Sequence, residues 1–313
     1  MKARFIFNPT SGRNRRRPWL ARTIRDFISA RALDADLATT EGPGHATELA
    51  RDAVQAGCPL VVAVGGDGTM NEVAQALRHT PTALALVPCG SGNGLALHLR
   101  LPRSLGVALD LIAGDRSRVA ALDTGSANGL PFFNAMGLGL DADVSRRFNT
   151  LTKRGLPAYA RTALAVVREL RHESVTITAE GRRETLDVLL LAIANSDQYG
   201  NNARIAPGAR VDDGLLDLVA VGPTGFFGAA ALAARLFLGN VDRSAHVRRW
   251  RGAHFLLERR AAGVIHTDGE THLTDPKIEI AVHPRSLRVL VPIASRAVAP
   301  AADAPATLAL QLP

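Results

Sequence analysis

Twice between Leu60 and Leu99 an apolar run ends in a glycine-rich turn and passes straight into a helix pattern: LVVAVGGDGTMNEV and ALALVPCGSGNGLALHL. A continuous, β-branched run such as Leu60 to Val64 suits a strand buried on both faces. Burial on both faces needs helices on both sides of the sheet, which restricts this region to an α/β architecture with a parallel sheet. The flanking sequence keeps the alternation. Arg4 to Phe7 reads as a strand ending at Asn8-Pro9, and Pro18 opens a helix with Leu20, Ile24, Phe27 and Ile28 on one face. Ala35 to Thr39 reads as a strand and His45 to Ala56 as a helix. Thr69 to Arg78 reads as a helix, Ala83 to Val87 as a strand and Gly92 to Leu99 as another helix start.

After about Leu122 the pattern becomes β-rich. Strands are expected at 175–179, 187–195, 215–221, 254–257, 263–266, 278–282 and 287–291, with helices only around 158–171 and 226–238. This predicts a β-sandwich. The 313 residues therefore divide into an α/β domain (1–125) and a β-rich domain (126–292) whose last strand returns to the first. An Ala/Pro-biased tail covers 293–313.

Composition narrows the partners. The formal net charge is +8, carried almost wholly by arginine, which suits nucleotides or an anionic membrane surface, or else a solvated basic face. Cys58 and Cys89 make no disulfide framework and no metal-binding spacing, so a reducing compartment is expected. The opening MKARFIFNPTSG lacks a long apolar segment, and Phe226 to Gly239 is broken by Arg235 and shorter than the ~20 residues of a span. The expectation is a cytoplasmic protein, peripheral at the inner membrane face. No basic patch with interleaved aromatics points to nucleic acid.

The glycine turns suit phosphate. Gly65, Gly66 and Gly68 let the backbone approach closely, and Thr69 with Glu72 is spaced as a capping box that starts a helix. Neither a P-loop nor GxGxxG fits, because Asn71 stands where the last glycine belongs. Asp67 would repel a phosphate unless a cation intervenes. It therefore points to Mg²⁺ or to proton removal from a hydroxyl, or else it closes the turn. Loops at Asn8 to Gly12, Thr39-Thr40, Gly65 to Thr69 and Pro88 to Gly94 all follow parallel strands and form one polar rim.

Together NPTSGR, TTEGPGHATELA, GGDGTMNEV, GSGNGLA and YGNNARIAPGARVDDGLLDL resemble the diacylglycerol kinase catalytic family, which includes bacterial lipid kinases and sphingosine kinases. The resemblance implies an α/β nucleotide domain, a C-terminal β-sandwich and an active-site cleft between them. It also implies transfer of the ATP γ-phosphate to a lipid hydroxyl with Mg²⁺. By that resemblance Gly66 to Glu72 hold the ATP phosphates, with Asn8, Thr40, Ser91, Gly92 and Asn93 lining the nucleotide site. Asp67 belongs to the Mg²⁺ network or is the base, and Asp123 is a further acid. Asp213 and Asp217, with the backbone carbonyls of Arg210 and Leu215, match a structural Mg²⁺ segment. Asp268, with Glu270 second, matches the general base. Gly94 stands where the bacterial members carry an aspartate. This makes the turn more like the sphingosine kinase form and favours a long-chain base or another lipid alcohol over diacylglycerol.

Two other functions use parts of the same pattern: a small-molecule kinase of the NAD kinase type, sharing only GGDGT, and a nucleotide-binding membrane module without turnover. Arg146-Arg147, Lys153-Arg154, Arg248-Arg249 and Arg251 are candidate contacts for anionic headgroups, with Trp250 suited to an interface. Phe226 to Leu238 either lines a lipid entry or covers the sandwich core. His45, His98 and His266 read as packing or surface residues. A homodimer is left open.

Overall fold

The computed structural model describes residues 3–139, 142, 172–295 and 297–299. The helix expected at 158–171 and the cations Arg146, Arg147, Lys153 and Arg154 lie outside the described residues. The chain divides into two units: 1–122 with 285–313, and 123–284.

In the first unit, β1 (Ala3–Phe7), α1 (Leu20–Ala30), β2 (Ala35–Thr39), α2 (His45–Gln55), β3 (Leu60–Gly65), α3 (Asp67–Leu77) and β4 (Ala83–Pro88) alternate along the chain. Two more helices follow, α4 (Gly94–His98) and α5 (Leu105–Ala113). The strands lie in the order β2-β1-β3-β4, all parallel. Every residue of β3 and β4 is buried, which explains their lack of polar alternation. Leu60, Val62 and Val64 of β3 pack with Ile24 of α1 and with Leu109 and Ile112 of α5.

The chain crosses the unit boundary along β5 (Ser117–Ala127). The second unit continues with β6 (Leu130–Phe132), β7 (Ala135–Gly139), β8 (Glu173–Ala179), β9 (Arg182–Val188), β10 (Leu190–Ala194) and β11 (Leu216–Val221). A helix, α6 (Phe226–Leu238), precedes β12 (Val247–Gly252), β13 (His254–Arg259), β14 (Gly263–Thr267), β15 (Glu270–Thr274) and β16 (Lys277–Pro292). One antiparallel sheet runs β12-β11-β10-β7-β14-β15, and a second runs β16-β13-β8-β9. Leu138, Ile193 and Leu218 from the first meet Ile177, Leu257 and Ile280 from the second in one core, as a sandwich requires.

Three details differ from the sequence expectation. The strands expected at 278–282 and 287–291 are one 16-residue strand, β16, whose final part pairs in parallel with β4 at Val289 and Leu84. The run 187–195 is divided between β9 and β10. The tail begins packed: Ser295 and Val298 are buried, and Ser295 donates to the Leu99 carbonyl at 3.2 Å. No described helix is long and apolar enough to cross a membrane.

Candidate active site

Each unit carries some of the singled-out residues, and each set has its own construction. In the first unit three loops converge at the carboxyl ends of β1, β3 and β4. Glycine is required there for backbone contact. A Cβ on Gly66 would lie 3.0 Å from the Cα of Gly90, and one on Gly90 would lie 2.5 Å from the Cα of Gly66. A Cβ on Gly12 would stand 2.3 Å from the Cys89 carbonyl oxygen, and Gly12 has φ 32°. Asn14, buried, ties the first loop down by donating to the carbonyls of Asn8 (2.8 Å) and Val64 (3.2 Å). Replacing Gly90 by Ala is expected to destabilise the fold by about 3 kcal/mol, since backbone rather than a flexible side chain must move. Chemical denaturation checks this, and Gly68→Ala, where a Cβ meets nothing within 4 Å, is the control expected to stay close to the parent.

Asp67 joins the two glycine turns. One carboxylate oxygen accepts the Asn93 N–H and the other the Gly94 N–H, both at 2.7 Å. These amides open α4, so Asp67, the first residue of α3, caps that helix. Burial pushes the Asp67 carboxyl above the usual range, and the two amides pull it partly back. Asn93 adopts φ 55°, which an asparagine tolerates better than most residues. Its side chain closes the turn by accepting from Gly90 N–H (2.9 Å) and donating to Gly90 carbonyl (2.8 Å). Gly94 therefore contributes its amide to Asp67.

The capping box expected at Thr69 and Glu72 does not form. Helix α3 starts two residues earlier, at Asp67, with Gly66 as its N-cap and no capping side chain among the described residues. Thr69 is buried, and its hydroxyl accepts from the Asn8 side-chain amide at 2.9 Å. Glu72 instead reaches α2, accepting the Ala46 N–H at 3.0 Å. Thr40 is buried and its N–H donates to the Phe7 carbonyl at 2.9 Å. Ser91 is exposed on the second turn and Gly92 is half-buried beside Asp67. Asn71 is buried with a side-chain oxygen that finds no partner. An uncapped helix start with open space at Gly68 fits a bound phosphate.

In the second unit the acids are also built into loops. Asp268 and Gly269 form the two-residue turn between β14 and β15, with φ 50° and 89°, the geometry of an Asp-Gly hairpin. The Asp268 carboxylate accepts the N–H groups of Phe133 (2.7 Å), Asn134 (2.8 Å) and Ala135 (3.0 Å). Burial pushes its pKa up to about 6 against the pull of these amides. Glu270, the next acid, is exposed at the start of β15. Asp268 thus serves the turn, and Glu270 is the carboxylate of this segment that faces solvent.

A raised carboxyl pKa has a fixed sign. Between its unfolded value near 3.9 and about 6, the folded chain binds more protons than the unfolded one, so stability falls as pH rises through that window. The fall attributable to Asp268 is on the order of 3 kcal/mol. Asp268→Asn keeps the turn, because Asn-Gly suits it equally, but turns an amide toward a backbone N–H. The variant is expected to be less stable by about 1–3 kcal/mol at pH 5, with the difference closing toward pH 7. Denaturation curves at four pH values check this, and parallel curves would contradict it.

Asp123 is buried and accepts the Gly214 N–H at 2.7 Å, while its own N–H donates to the Val211 carbonyl. Asp213 accepts the Leu215 N–H at 3.1 Å and the guanidinium of Arg251. Asp217, only 1% exposed, accepts Arg249 at 2.8 Å and 3.0 Å and lies 3.1 Å from Arg251. Burial raises the Asp217 pKa against the opposing pull of Arg249. The Arg210 side chain holds Asp212. A divalent cation needs these lone pairs, and two guanidiniums hold them. In this structure Asp213 and Asp217, expected as metal ligands, are held by arginine. No group of three His, Cys, Asp or Glu among the described residues could hold a metal ion.

The same contacts revise the headgroup expectation. Arg249 and Arg251 pair within the sheet, and Arg248 pairs with Glu184 at 2.5 Å and covers the Trp250 ring at 4.9 Å. Sequence reading missed these pairings, although Arg249 and Arg251, two positions apart in VRRWRG, fall on one face of an extended strand.

The comparisons agree with this architecture. The diacylglycerol kinase catalytic domain family matches residues 2–127. The YegS C-terminal NAD kinase beta sandwich-like domain matches residues 134–291. The diacylglycerol kinase of Bacillus subtilis (strain 168) is 32% identical over 226 residues, 70% of this chain and 73% of the relative. The protein named Probable lipid kinase YegS-like of Pseudomonas aeruginosa (strain UCBPP-PA14) is 33% identical over 257 residues, 80% and 83% of the two chains. A diacylglycerol kinase crystal structure from Bacillus anthracis str. Sterne shares the fold, with a TM-score of 0.71 at 20% identity over 94% of this chain and 98% of that one. With both domains matched and two relatives above 30% identity, the chain belongs to the diacylglycerol kinase catalytic family and is a kinase.

Proposed function

We propose that this chain is an ATP- and Mg²⁺-dependent lipid kinase that transfers the γ-phosphate to the hydroxyl of a lipid alcohol. The observation that carries the reading is the start of α3, which follows two glycines and has no capping side chain among the described residues. Its first-turn amides and partial positive charge suit the phosphates of ATP, the donor that a kinase family implies. Mg²⁺ bound with the nucleotide would offset the charge that develops on the transferred group. Asp67 keeps the second glycine turn against the first through the Asn93 and Gly94 amides.

Glu270 takes the proton. As the lipid oxygen bonds to the γ-phosphorus, the bond to the β-phosphate oxygen breaks, ADP leaves, and the hydroxyl proton passes to the Glu270 carboxylate. Asp268, whose carboxylate accepts three backbone amides, is the alternative base. The acceptor is diacylglycerol, as the names of the relatives suggest, or a sphingoid base or related alcohol, as Gly94 suggests. The enzyme meets it at a membrane surface.

ADP release measured with MgATP tests the reading. Release is expected only when a lipid alcohol is supplied in mixed micelles. Release driven by NAD in the absence of lipid would overturn it in favour of a small-molecule kinase, the reading that the NAD kinase-like description of the second matched domain keeps in play.

A further inference from the structure

Helix α6 has two apolar faces. On its inner face Ala229 and Leu232 are buried, and Leu232 packs with Val221 and Val241, which answers the sequence question in favour of core cover. Its outer face carries Phe227 (86% exposed) and Leu238 (73% exposed), with Ala230, Ala231 and Ala234 between them. These positions follow the 3.6-residue period, so they form one solvent-facing stripe three turns long. None of the five has a hydrogen-bonding side chain. A surface helix ordinarily places charged and polar residues at such positions, and a contiguous exposed apolar patch marks a binding surface.

We infer that the outer face of α6 is the surface by which this kinase docks on an anionic lipid bilayer, Phe227 and Leu238 entering the acyl boundary. This rests on the lipid-kinase reading for its biological sense, though not for its test. Charge and chemistry select the bilayer over a protein partner. Arg235 in the last turn of α6 and Arg243 just beyond it make no ion pair among the described residues, and they suit anionic headgroups flanking an apolar insertion. The net charge of +8 acts in the same direction. The stripe also offers no polar group to fix the register of a protein partner.

Sedimentation with phosphatidylcholine/phosphatidylserine vesicles, without ATP and without any lipid alcohol, tests the inference independently of catalysis. The full chain is expected to partition onto these vesicles. The double variant Phe227→Asp/Leu238→Asp is expected to lose at least about 30-fold of that partitioning, with its unfolding midpoint unchanged because both side chains are exposed. Equal binding by parent and variant would overturn the inference. So would sedimentation velocity showing a parent dimer that the double variant dissolves, since a second copy would then cover the stripe. Vesicle binding without phosphoryl transfer to any lipid would sink the kinase reading and leave the docking surface standing.

Discussion

Glu270→Gln is expected to lower kcat by about 10²–10⁴-fold, the usual worth of a positioned general base. The KM for ATP and the unfolding midpoint should stay near the parent values. Glutamine keeps the shape of the side chain but accepts no proton at neutral pH. Glu270 is exposed at the first position of β15, paired across the hairpin with Thr267, so its replacement disturbs no core. The split between kcat and stability gives the experiment its force. A fall in both would mean that Glu270 supports the hairpin. A kcat within about threefold of the parent would return the proton to Asp268, whose pKa near 6 also suits a base.

Asp67→Asn is expected to fail in a different way. The carboxylate accepts two backbone amides at 2.7 Å, bonds of the stronger, charge-assisted kind. Asparagine offers one oxygen, and its NH₂ faces the other N–H. The expected cost is about 2–4 kcal/mol of stability, together with a fall in kcat/KM for ATP of about 10²–10³-fold as the second glycine turn drifts from the first. Denaturation and steady-state kinetics on one preparation check both. A variant of parental stability with no transfer would contradict the clasp and assign Asp67 directly to cation or proton chemistry.

The parts of this molecule that were legible in the sequence are those with a one-dimensional signature. The apolar runs of β3 and β4 announced a sheet covered on both faces, and the glycines that follow marked close backbone approach. Strands β12 and β15 were missed because VRRWRG and ETHLT carry no apolar alternation; in β12 the polar side chains pair with Glu184, Asp213 and Asp217 instead. The candidate acids were legible, but the backbone amides they hold were not. Asp67 lies 26 positions from the amide it holds at Asn93, and Asp268 lies 133–135 from its three amides. No local pattern distinguishes a carboxylate that holds a turn from one that waits for substrate. Likewise Thr69 and Glu72 had capping-box spacing, yet each found a better partner on another element, Asn8 for one and the start of α2 for the other.

The most direct measurement is the destination of the γ-phosphate. Purified protein is incubated with Mg²⁺ and γ-labelled ATP over mixed micelles containing diacylglycerol, sphingosine, ceramide or phosphatidylglycerol, with NAD as the soluble control. Label is expected in the extract of one lipid class, abolished by omitting Mg²⁺ and cut at least about 10²-fold by Glu270→Gln. Label only in NAD, or none in any acceptor from protein that still binds ATP, would contradict the lipid-kinase reading.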